Sequence, residues 1–223
     1  MTNNEIHEAI LLTGGNAWRL KPDIWTPKPM LQLNKWTLLE YQLRWLIQHK
    51  FNHIIIASDK EYEIKPVFNE FVTWSIEKYK VGTGGAVLLA SDYLKTNNFY
   101  LQNIDDICFY NPIELTLPDT QARILVSKPR IGFGRVELRQ DLVLGFKEKP
   151  LLDFYVSAGH YYFKKSIVDT YFPDVGNLED KVLPELARRR ILEAYRLRGT
   201  WITINTMKDY MQVREILDQE NSL

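Results

Sequence analysis

Residues 10–22 read ILLTGGNAWRLKP, and residues 26–30 read TPKPM. An apolar run typical of a buried strand ends here in Gly14 and Gly15, which carry no Cβ and so let backbone N–H groups approach an anion closely. Arg19 can hold a phosphate as a planar fork and Lys28 as a point charge. The stretch therefore predicts a polyphosphate-binding loop after a strand. The alternative is a glycine turn with two unrelated cations, and neither the Walker loop nor the dinucleotide fingerprint is present.

The composition is that of an ordinary globular chain. It has 223 residues, of which 45% are hydrophobic and 25% are charged. This length and apolar content predict one larger domain with a sizeable core. The 28 Lys and Arg residues balance the 28 Asp and Glu residues. No overall charge therefore favours a nucleic acid or an anionic membrane as partner.

Cysteine usage and the chain ends indicate the compartment. A single cysteine, Cys108, excludes an intramolecular disulfide and a cysteine-based metal cluster. We find no signal peptide, lipidation motif or transmembrane run. The sequence thus predicts a cytoplasmic protein.

The first half alternates strands and helices. A strand at 7–12 is followed by an amphipathic helix over 36–49 and a β-branched strand over 52–58. Such a βαβ unit implies a parallel sheet with right-handed crossovers. A helix over 84–94 and a strand over 99–101 continue the pattern. The glycine loop is then expected at the carboxyl edge of the sheet, where α/β proteins bind ligands.

The second half, after about residue 120, is richer in strands. We expect strands over 122–127 and 155–163, and a hairpin that turns at Gln140 and Asp141. Helices are predicted over 178–190 and 207–217. The chain thus reads as one domain over residues 1–223.

The opening stretch resembles the signature of sugar-1-phosphate nucleotidylyltransferases, G-G-x-G-T-R-L-x-P followed by P-K-P-[LM]. Ala17 and Trp18 stand in place of the usual Gly-Thr. The resemblance implies a Rossmann-like α/β/α sandwich with a mixed, mainly parallel sheet, the nucleotide-diphospho-sugar transferase fold. It assigns catalytic roles to Arg19 and Lys28.

A second motif, VGTGGA at residues 81–86, is similar to the family's L-G-T-[AG]-G-A, which opens a helix against the nucleotide. The implied nucleotide-binding residues are Leu12, Gly14, Gly15, Gly82 and Thr83. Glu77 lies where related enzymes read the base. A carboxylate can accept from the N1–H and N2–H₂ groups of guanine, which favours GTP, although cytosine could also donate to it. A surface glutamate is the alternative.

A third motif, Asn103-Ile104-Asp105-Asp106, follows a strand and corresponds to the family's N-G-D, whose aspartate binds Mg²⁺. Asp105 is the implied metal ligand, and hard oxygen ligands suit magnesium. The second metal aspartate of the family is replaced by Thr203. Either Asp106 compensates, or metal binding is weak, or catalysis is lost. The acidic pair could also be the metal motif of a GT-A glycosyltransferase.

Three further motifs imply a sugar-phosphate site. GFKEKP at 145–150 matches G-F-x-E-K-P, SAG at 157–159 stands for N-A-G, and NLEDKVLP at 177–184 resembles [SN]-[FL]-E-x-D-[VL]-L-P. The implied sugar-phosphate contacts are Glu148, Lys149, Ser157, Gly159 and Glu179. The resemblance thus implies that the first half, about 1–120, binds the nucleotide and the second half, about 121–223, the sugar phosphate.

The resemblance spans roughly residues 8–212 and is strongest to short guanylyltransferases for mannose 1-phosphate or D-glycero-D-manno-heptose 1-phosphate. It implies an Mg²⁺-dependent reaction of an NTP, GTP favoured, with a sugar 1-phosphate to give NDP-sugar and pyrophosphate. A homodimer is a further expectation, and no nucleic-acid or membrane partner is expected. The alternative is a catalytically impaired homologue that binds nucleotide sugar as a regulatory subunit.

Overall fold

The computed structural model describes residues 7–14, 25–116 and 120–220, with side chains through residue 218. The strands within these ranges are β1 (Glu8–Leu12), β2 (Gln32–Leu33), β3 (Trp36–Thr37), β4 (His53–Ser58), β5 (Val72–Ile76), β6 (Asn98–Asn103), β7 (Asp106–Cys108), β8 (Ala122–Ser127), β9 (Arg135–Arg139), β10 (Leu142–Lys147), β11 (Val156–Lys164), β12 (Leu192–Arg196) and β13 (Trp201–Thr203). The α-helices are α1 (Leu38–Gln48), α2 (Gly82–Ser91), α3 (Lys165–Tyr171), α4 (Leu183–Arg188) and α5 (Met207–Glu220).

Seven strands form the central sheet in the order β12-β8-β11-β6-β1-β4-β5. β1 pairs in parallel with both β4 and β6, and β4 pairs in parallel with β5. β11 runs antiparallel to both of its neighbours, and β12 is parallel to β8. The mixed, mainly parallel sheet confirms the predicted fold class.

Two hydrophobic layers cover the faces of this sheet. One contains the buried residues of α1 and α5, among them Leu43 and Val213. The other contains residues of α2, α3 and α4, among them Val87, Val168 and Leu186. Because each helix buries one apolar stripe against the sheet, the result is the expected α/β/α sandwich.

Local sequence signals explain where the elements begin. Thr37 caps α1 by accepting a hydrogen bond from the Glu40 N–H, while the Glu40 carboxylate accepts from the Thr37 N–H, a capping box. The single helix expected over 178–190 is instead a π-helical turn, Leu178–Val182, followed by α4. Pro184, the second residue of α4, has no N–H to donate to the carbonyl four residues earlier, so one regular α-helix through 178–190 would lack this hydrogen bond.

The carboxyl ends of three strands meet at one edge of the sheet. Leu12, at the end of β1, lies opposite Ala57 on β4 and Asn103 on β6. Thr13 extends the contact, since its N–H and hydroxyl both donate to the Ala57 carbonyl, at 3.0 and 2.9 Å. The residues that follow β1, β4 and β6 are therefore neighbours.

β9 and β10 form a separate two-stranded sheet, the hairpin predicted from the sequence. Its turn is at Gln140 and Asp141, and Gln140 has a positive φ of 54°. Most of its side chains are exposed. Of the helices that the structure describes, none is long and apolar enough to span a membrane.

Candidate functional site

Lys28 and Asp105 meet at the edge of the sheet where β1, β4 and β6 end. The Lys28 Nζ donates to the Asp105 Oδ2 at 2.6 Å, and the two side chains are 12% and 24% exposed. Lys28 opens a short 3₁₀ helix after Pro27, and Asp105 lies in the turn between β6 and β7. Two residues that the family resemblance placed in the catalytic centre are therefore in direct contact.

A cavity of about 450 Å³, within the size range of small-molecule sites, is lined by Thr26 and Pro27, which directly precede Lys28. Lys28 and Asp105 themselves are not among the described residues that line it. Its lining comes from the ends of β1 and β4, from the segment before Lys28 and from the start of α2. The described residues that line it are Leu12, Thr13, Gly14, Trp25, Thr26, Pro27, Ala57, Asp59, Lys60, Tyr62, Glu77, Lys80, Gly82, Thr83, Ala86 and Asn177. Of the expected nucleotide contacts, Leu12, Gly14, Glu77, Gly82 and Thr83 are among them.

The start of α2 packs tightly against the segment around Gly176. Gly82 has a φ of +78°, and a Cβ on it would lie 2.7 Å from the Gly176 carbonyl oxygen. The same carbonyl accepts from the Gly84 N–H at 2.9 Å. A glycine is therefore required at residue 82, both by its backbone conformation and by the close approach.

Thr83 connects two of the predicted motifs. Its hydroxyl donates to the Glu179 Oε2 at 3.0 Å and accepts from the Leu178 N–H at 2.8 Å. Glu179 was expected at the sugar-phosphate site and Thr83 at the nucleotide site. The structure brings the two side chains together at the N-terminus of α2.

Glu77 lines the cavity and also shapes the turn before α2. Its Oε2 accepts from the Val81 N–H at 3.2 Å. A carboxylate has two oxygens, so this contact occupies part of its accepting capacity.

Asp106 is buried behind Asp105. Its Oδ1 accepts from the Trp201 Nε1 at 2.8 Å and its Oδ2 from the Asn103 Nδ2 at 3.2 Å. Burial and the neighbouring charge of Asp105 raise the pKa of Asp106 to about 7, against these hydrogen bonds, which favour the ionised form. Both carboxylate oxygens thus already have protein donors.

Thr203 lies opposite Asp106, because β13 pairs antiparallel with β7. Its hydroxyl accepts from the Asn205 side chain at 3.1 Å. Directly opposed residues of an antiparallel pair project from the same face. Thr203, which replaces the family's second metal aspartate, is therefore next to Asp106.

Gly159 and Ser157 border the same region from β11. Gly159 has a φ of +73°, and a Cβ on it would lie 1.8 Å from the Asp106 Oδ2. The Ser157 hydroxyl is 3.0 Å from the Tyr161 hydroxyl and accepts from the Gly159 N–H at 3.3 Å. Gly159 is thus in contact with the acidic motif, while Ser157 orders the irregular start of its own strand.

Glu148 and Lys149 lie after the exposed hairpin and line no part of the cavity among the described residues. Their side chains form an ion pair of 3.5 Å with each other, and each is at least half exposed. The Lys149 carbonyl accepts from the Arg130 guanidinium at 3.3 Å. The structure does not bring these two expected sugar-phosphate contacts to the Lys28–Asp105 pair.

Gly15 and Arg19 lie outside the described residues. Four polar cavity residues were not anticipated from the sequence: Asp59, Lys60, Tyr62 and Lys80. Asp59 and Lys60 directly follow β4, so the rule that ligands bind at the carboxyl ends of parallel strands could have identified them. The cavity therefore combines apolar walls with charged groups of both signs.

Comparison with characterised proteins identifies curated relatives that match most of this chain. The chain is 26% identical over 226 residues to the mannose-1-phosphate guanyltransferase of Schizosaccharomyces pombe. It is 28% identical to the mannose-1-phosphate guanylyltransferase catalytic subunit beta of Xenopus tropicalis. Each alignment covers 92% of this chain and 62% of the relative. The chain thus spans less than two thirds of the length of these relatives.

Solved structures share the fold. HddC from Yersinia pseudotuberculosis superposes with a TM-score of 0.71 at 23% identity, covering 95% of this chain and all of HddC. A UDP-glucose pyrophosphorylase complexed with UDP-glucose gives 0.71 at 15% identity, covering 97% and 100%. A family model described as nucleotidyl transferase matches residues 8–220, nearly the whole chain. This protein therefore belongs to the nucleotidyl transferase family.

Proposed function

We propose that this protein joins an NTP and a sugar 1-phosphate to give an NDP-sugar and pyrophosphate. The observation that carries the proposal is the 2.6 Å contact of Lys28 with Asp105. Lys28 directly follows Pro27, which lines the cavity together with Gly14, Gly82 and Thr83. The names of the curated relatives, which are mannose-1-phosphate guanylyltransferases, support it.

The proposed reaction is an in-line displacement at the α-phosphorus. An oxygen of the sugar 1-phosphate forms the new P–O bond, and the bond to the β-phosphate oxygen breaks, so that pyrophosphate leaves with the electron pair. No general base is required, because the attacking phosphate is already an anion. Catalysis then consists of positioning and charge neutralisation. We assign Lys28 to the α-phosphate region and Arg19 to the β- and γ-phosphates.

Magnesium fits this donor set through Asp105. The Asp105 carboxylate is partly exposed and accepts from Lys28 at Oδ2. One carboxylate together with substrate phosphates is a usual magnesium environment in proteins. Asp106 fits less well, since both of its oxygens accept N–H groups and it is 6% exposed. When bound, the ion would neutralise charge on the phosphates.

We favour GTP as the nucleotide. Glu77 lines the cavity, and a carboxylate can accept two hydrogen bonds from guanine. The guanylyltransferase names of the curated relatives agree with this choice.

The sugar phosphate would bind through the second half of the chain, with Glu179 and Gly159 beside the nucleotide and Ser157 near the sugar. We assign Glu148 and Lys149 to the sugar 1-phosphate from the family resemblance, and they do not line the cavity among the described residues. We propose that one domain contains both a nucleotide half, about 1–120, and a sugar-phosphate half, about 121–223.

A pyrophosphate-release screen tests this function. GTP, CTP, UTP and dTTP are each combined with a panel of sugar 1-phosphates in the presence of Mg²⁺. We expect turnover with GTP and one sugar 1-phosphate. Nucleotide binding without pyrophosphate release from any pair would contradict the transfer reaction and favour a regulatory nucleotide-binding subunit.

We further propose that two copies associate through the β9–β10 hairpin. Its paired residues Val136–Phe146 and Leu138–Val143 form an apolar, exposed face. A lone two-stranded hairpin is marginally stable, whereas four strands with an apolar face are stable. Antiparallel pairing of two β9 strands about Leu138 would build such a sheet.

The charges of β9 suit this pairing. In that register Glu137 lies opposite the partner subunit's Arg139, and Arg135 lies opposite the partner subunit's Asp141, so each pair has opposite charges. Sedimentation equilibrium of the 26.3 kDa chain should therefore give the mass of a dimer. Glu137→Arg should give monomers, and adding Arg139→Glu should restore the dimer. A wild-type monomer, or a dimer that survives Glu137→Arg, would contradict this interface.

A further inference from the structure

The turn that carries Asp105 is fixed through its backbone. The Ile104 N–H donates to the Leu12 carbonyl at 3.0 Å, and the Asp105 carbonyl accepts from the Ile204 N–H at 2.9 Å. Ile104, which stands where the family has glycine, is 1% exposed and belongs to the hydrophobic core. The turn is thus anchored to β1, to the segment after β13 and to the core.

Gln42, which lies on α1, also holds this turn. Its Nε2 donates to the Ile104 carbonyl at 2.9 Å and to the Asp106 carbonyl at 3.0 Å. The two acceptors belong to the residues immediately before and after Asp105. Because an amide nitrogen carries two hydrogens, each can serve one carbonyl. The Gln42 amide therefore straddles Asp105, and it is 2% exposed.

A buried histidine adds a further contact to the same turn. The His160 Nε2 lies 3.1 Å from the Asp106 carbonyl, and its Nδ1 contacts the Tyr100 hydroxyl. Burial lowers the pKa of His160 to about 4, so the ring is neutral at pH 7. Since a carbonyl can only accept, the proton of the neutral ring is on Nε2.

The helix that carries Gln42 is also tied to the segment that carries Lys28. The Leu38 N–H, at the start of α1, donates to the Leu31 carbonyl at 2.8 Å. Leu31 directly follows the 3₁₀ helix Lys28–Met30. α1 therefore connects both sides of the Lys28–Asp105 contact, through Leu38 on one side and Gln42 on the other.

We infer that Gln42 is a positioning residue, which holds the Asp105 carboxylate where it meets Lys28 and a divalent cation. The inference rests on the proposed function in that it takes Asp105 as the metal ligand. Residues that orient a metal ligand without touching the metal commonly change metal affinity or activity 10–100-fold. Gln42 has the geometry of such a residue. Removing its amide takes one donor from the Ile104 carbonyl and leaves the Asp106 carbonyl with His160, so the turn that carries Asp105 becomes less rigid.

The test uses Gln42→Met, which keeps the approximate volume and removes both donors. Gln102→Met is the matched control: Gln102 is also fully buried, but the structure gives neither its amide nitrogen nor its amide oxygen a hydrogen-bond partner. Gln42→Asn, which keeps a shortened amide, serves as a second variant if Gln42→Met does not fold. Mn²⁺ binding in the presence of GTP is followed by electron paramagnetic resonance, and metal-free GTP binding by calorimetry in EDTA.

We expect the Mn²⁺ dissociation constant to rise about tenfold in Gln42→Met. GTP binding in EDTA should stay as in the wild type, because Gln42 does not line the cavity among the described residues. Gln102→Met should match the wild type in both measurements.

An unchanged Mn²⁺ affinity in Gln42→Met would overturn the inference. So would an equal loss of Mn²⁺ and metal-free GTP binding, since that indicates general damage to the fold, and so would a wild type that binds no Mn²⁺. If the wild type binds Mn²⁺ more tightly than Gln42→Met but releases no pyrophosphate from any substrate pair, the proposed function fails while the role of Gln42 stands.

Discussion

Lys28 and Asp105 are 77 positions apart in the chain, yet the Lys28 ammonium lies 2.6 Å from the Asp105 carboxylate. The contact joins the segment after β1 to the turn after β6, and these two strands are hydrogen-bonded neighbours in the sheet. Both side chains are largely shielded from water. A cation and a carboxylate are thereby fixed at the edge of the sheet that also carries the cavity residues Leu12 and Ala57.

Lys28→Met should weaken catalysis by removing a charge-assisted contact. Such contacts contribute about 1.5–3 kcal/mol, which corresponds to roughly a 10- to 150-fold loss in kcat/KM for the NTP. Steady-state kinetics with the substrate pair found in the screen measures this loss. Lys95→Met is the control, since the Lys95 side chain is exposed and its hydrogen bonds to Glu8 come from the backbone. Equal kcat/KM values in the wild type and Lys28→Met would remove Lys28 from the site.

Glu77→Gln should erode the preference for GTP over UTP and leave the fold intact. The glutamine carbonyl can still accept from the Val81 N–H, but an amide NH₂ replaces the second carboxylate oxygen. Competitive calorimetric titrations of GTP and UTP give the ratio of affinities, which should fall about tenfold. Glu70→Gln, at an exposed position, should keep the wild-type ratio. Identical ratios in all three proteins would show that Glu77 does not read the base.

Gly159→Ala should destabilise the protein strongly. Its φ of +73° is unfavourable for alanine, and the added methyl group would lie 1.8 Å from the Asp106 Oδ2. We expect a loss of at least about 2 kcal/mol in the free energy of unfolding, measured with urea. Gly132→Ala, whose Cβ would meet no atom within 4 Å, should change it by no more than about 0.5 kcal/mol. Similar losses in the two variants would contradict the close packing of Gly159 on Asp106.

His160 should make the stability depend on pH below 7. Burial lowers its pKa to about 4, against an ordinary value of 6.5. As the pH falls through 6.5 the unfolded chain takes up a proton before the folded one, so the free energy of unfolding decreases. Between pH 7 and pH 5 this loss is about 2 kcal/mol. Urea titrations should show that the loss is smaller by this amount in His160→Gln. Parallel pH dependences in the two proteins would indicate that His160 titrates normally.

The long, periodic elements of this fold were predictable. β1, α1, β4 and the β9–β10 hairpin lie within about two residues of their expected bounds, because each has a strong apolar period or a clear turn signal. Strands β2, β3, β5, β7, β12 and β13 were not foreseen, and neither was α3. These strands are two to five residues long and, apart from β7, none is buried along its whole length, so their sequences carry little alternation.

The site was predictable in its location but not in its contacts. The rule for strand ends places Gly14 and Asp105 at one edge of the sheet. The position of Thr203 opposite Asp106 depends on the register between β7 and β13. The hydrogen bonds from Gln42 to the turn that carries Asp105 depend on how α1 packs on the sheet. Both are tertiary relationships that residue types and spacing do not encode locally.

The proposed function requires the Asp105 carboxylate to hold a divalent cation during nucleotidyl transfer. The most direct test is the rate of pyrophosphate release by Asp105→Asn, which keeps the shape of the side chain and removes its charge. With the substrate pair that the wild type turns over, we expect a loss of at least about a hundredfold. Asp92→Asn, at an exposed position after α2, should keep the wild-type rate. A rate for Asp105→Asn close to that of the wild type would contradict the account.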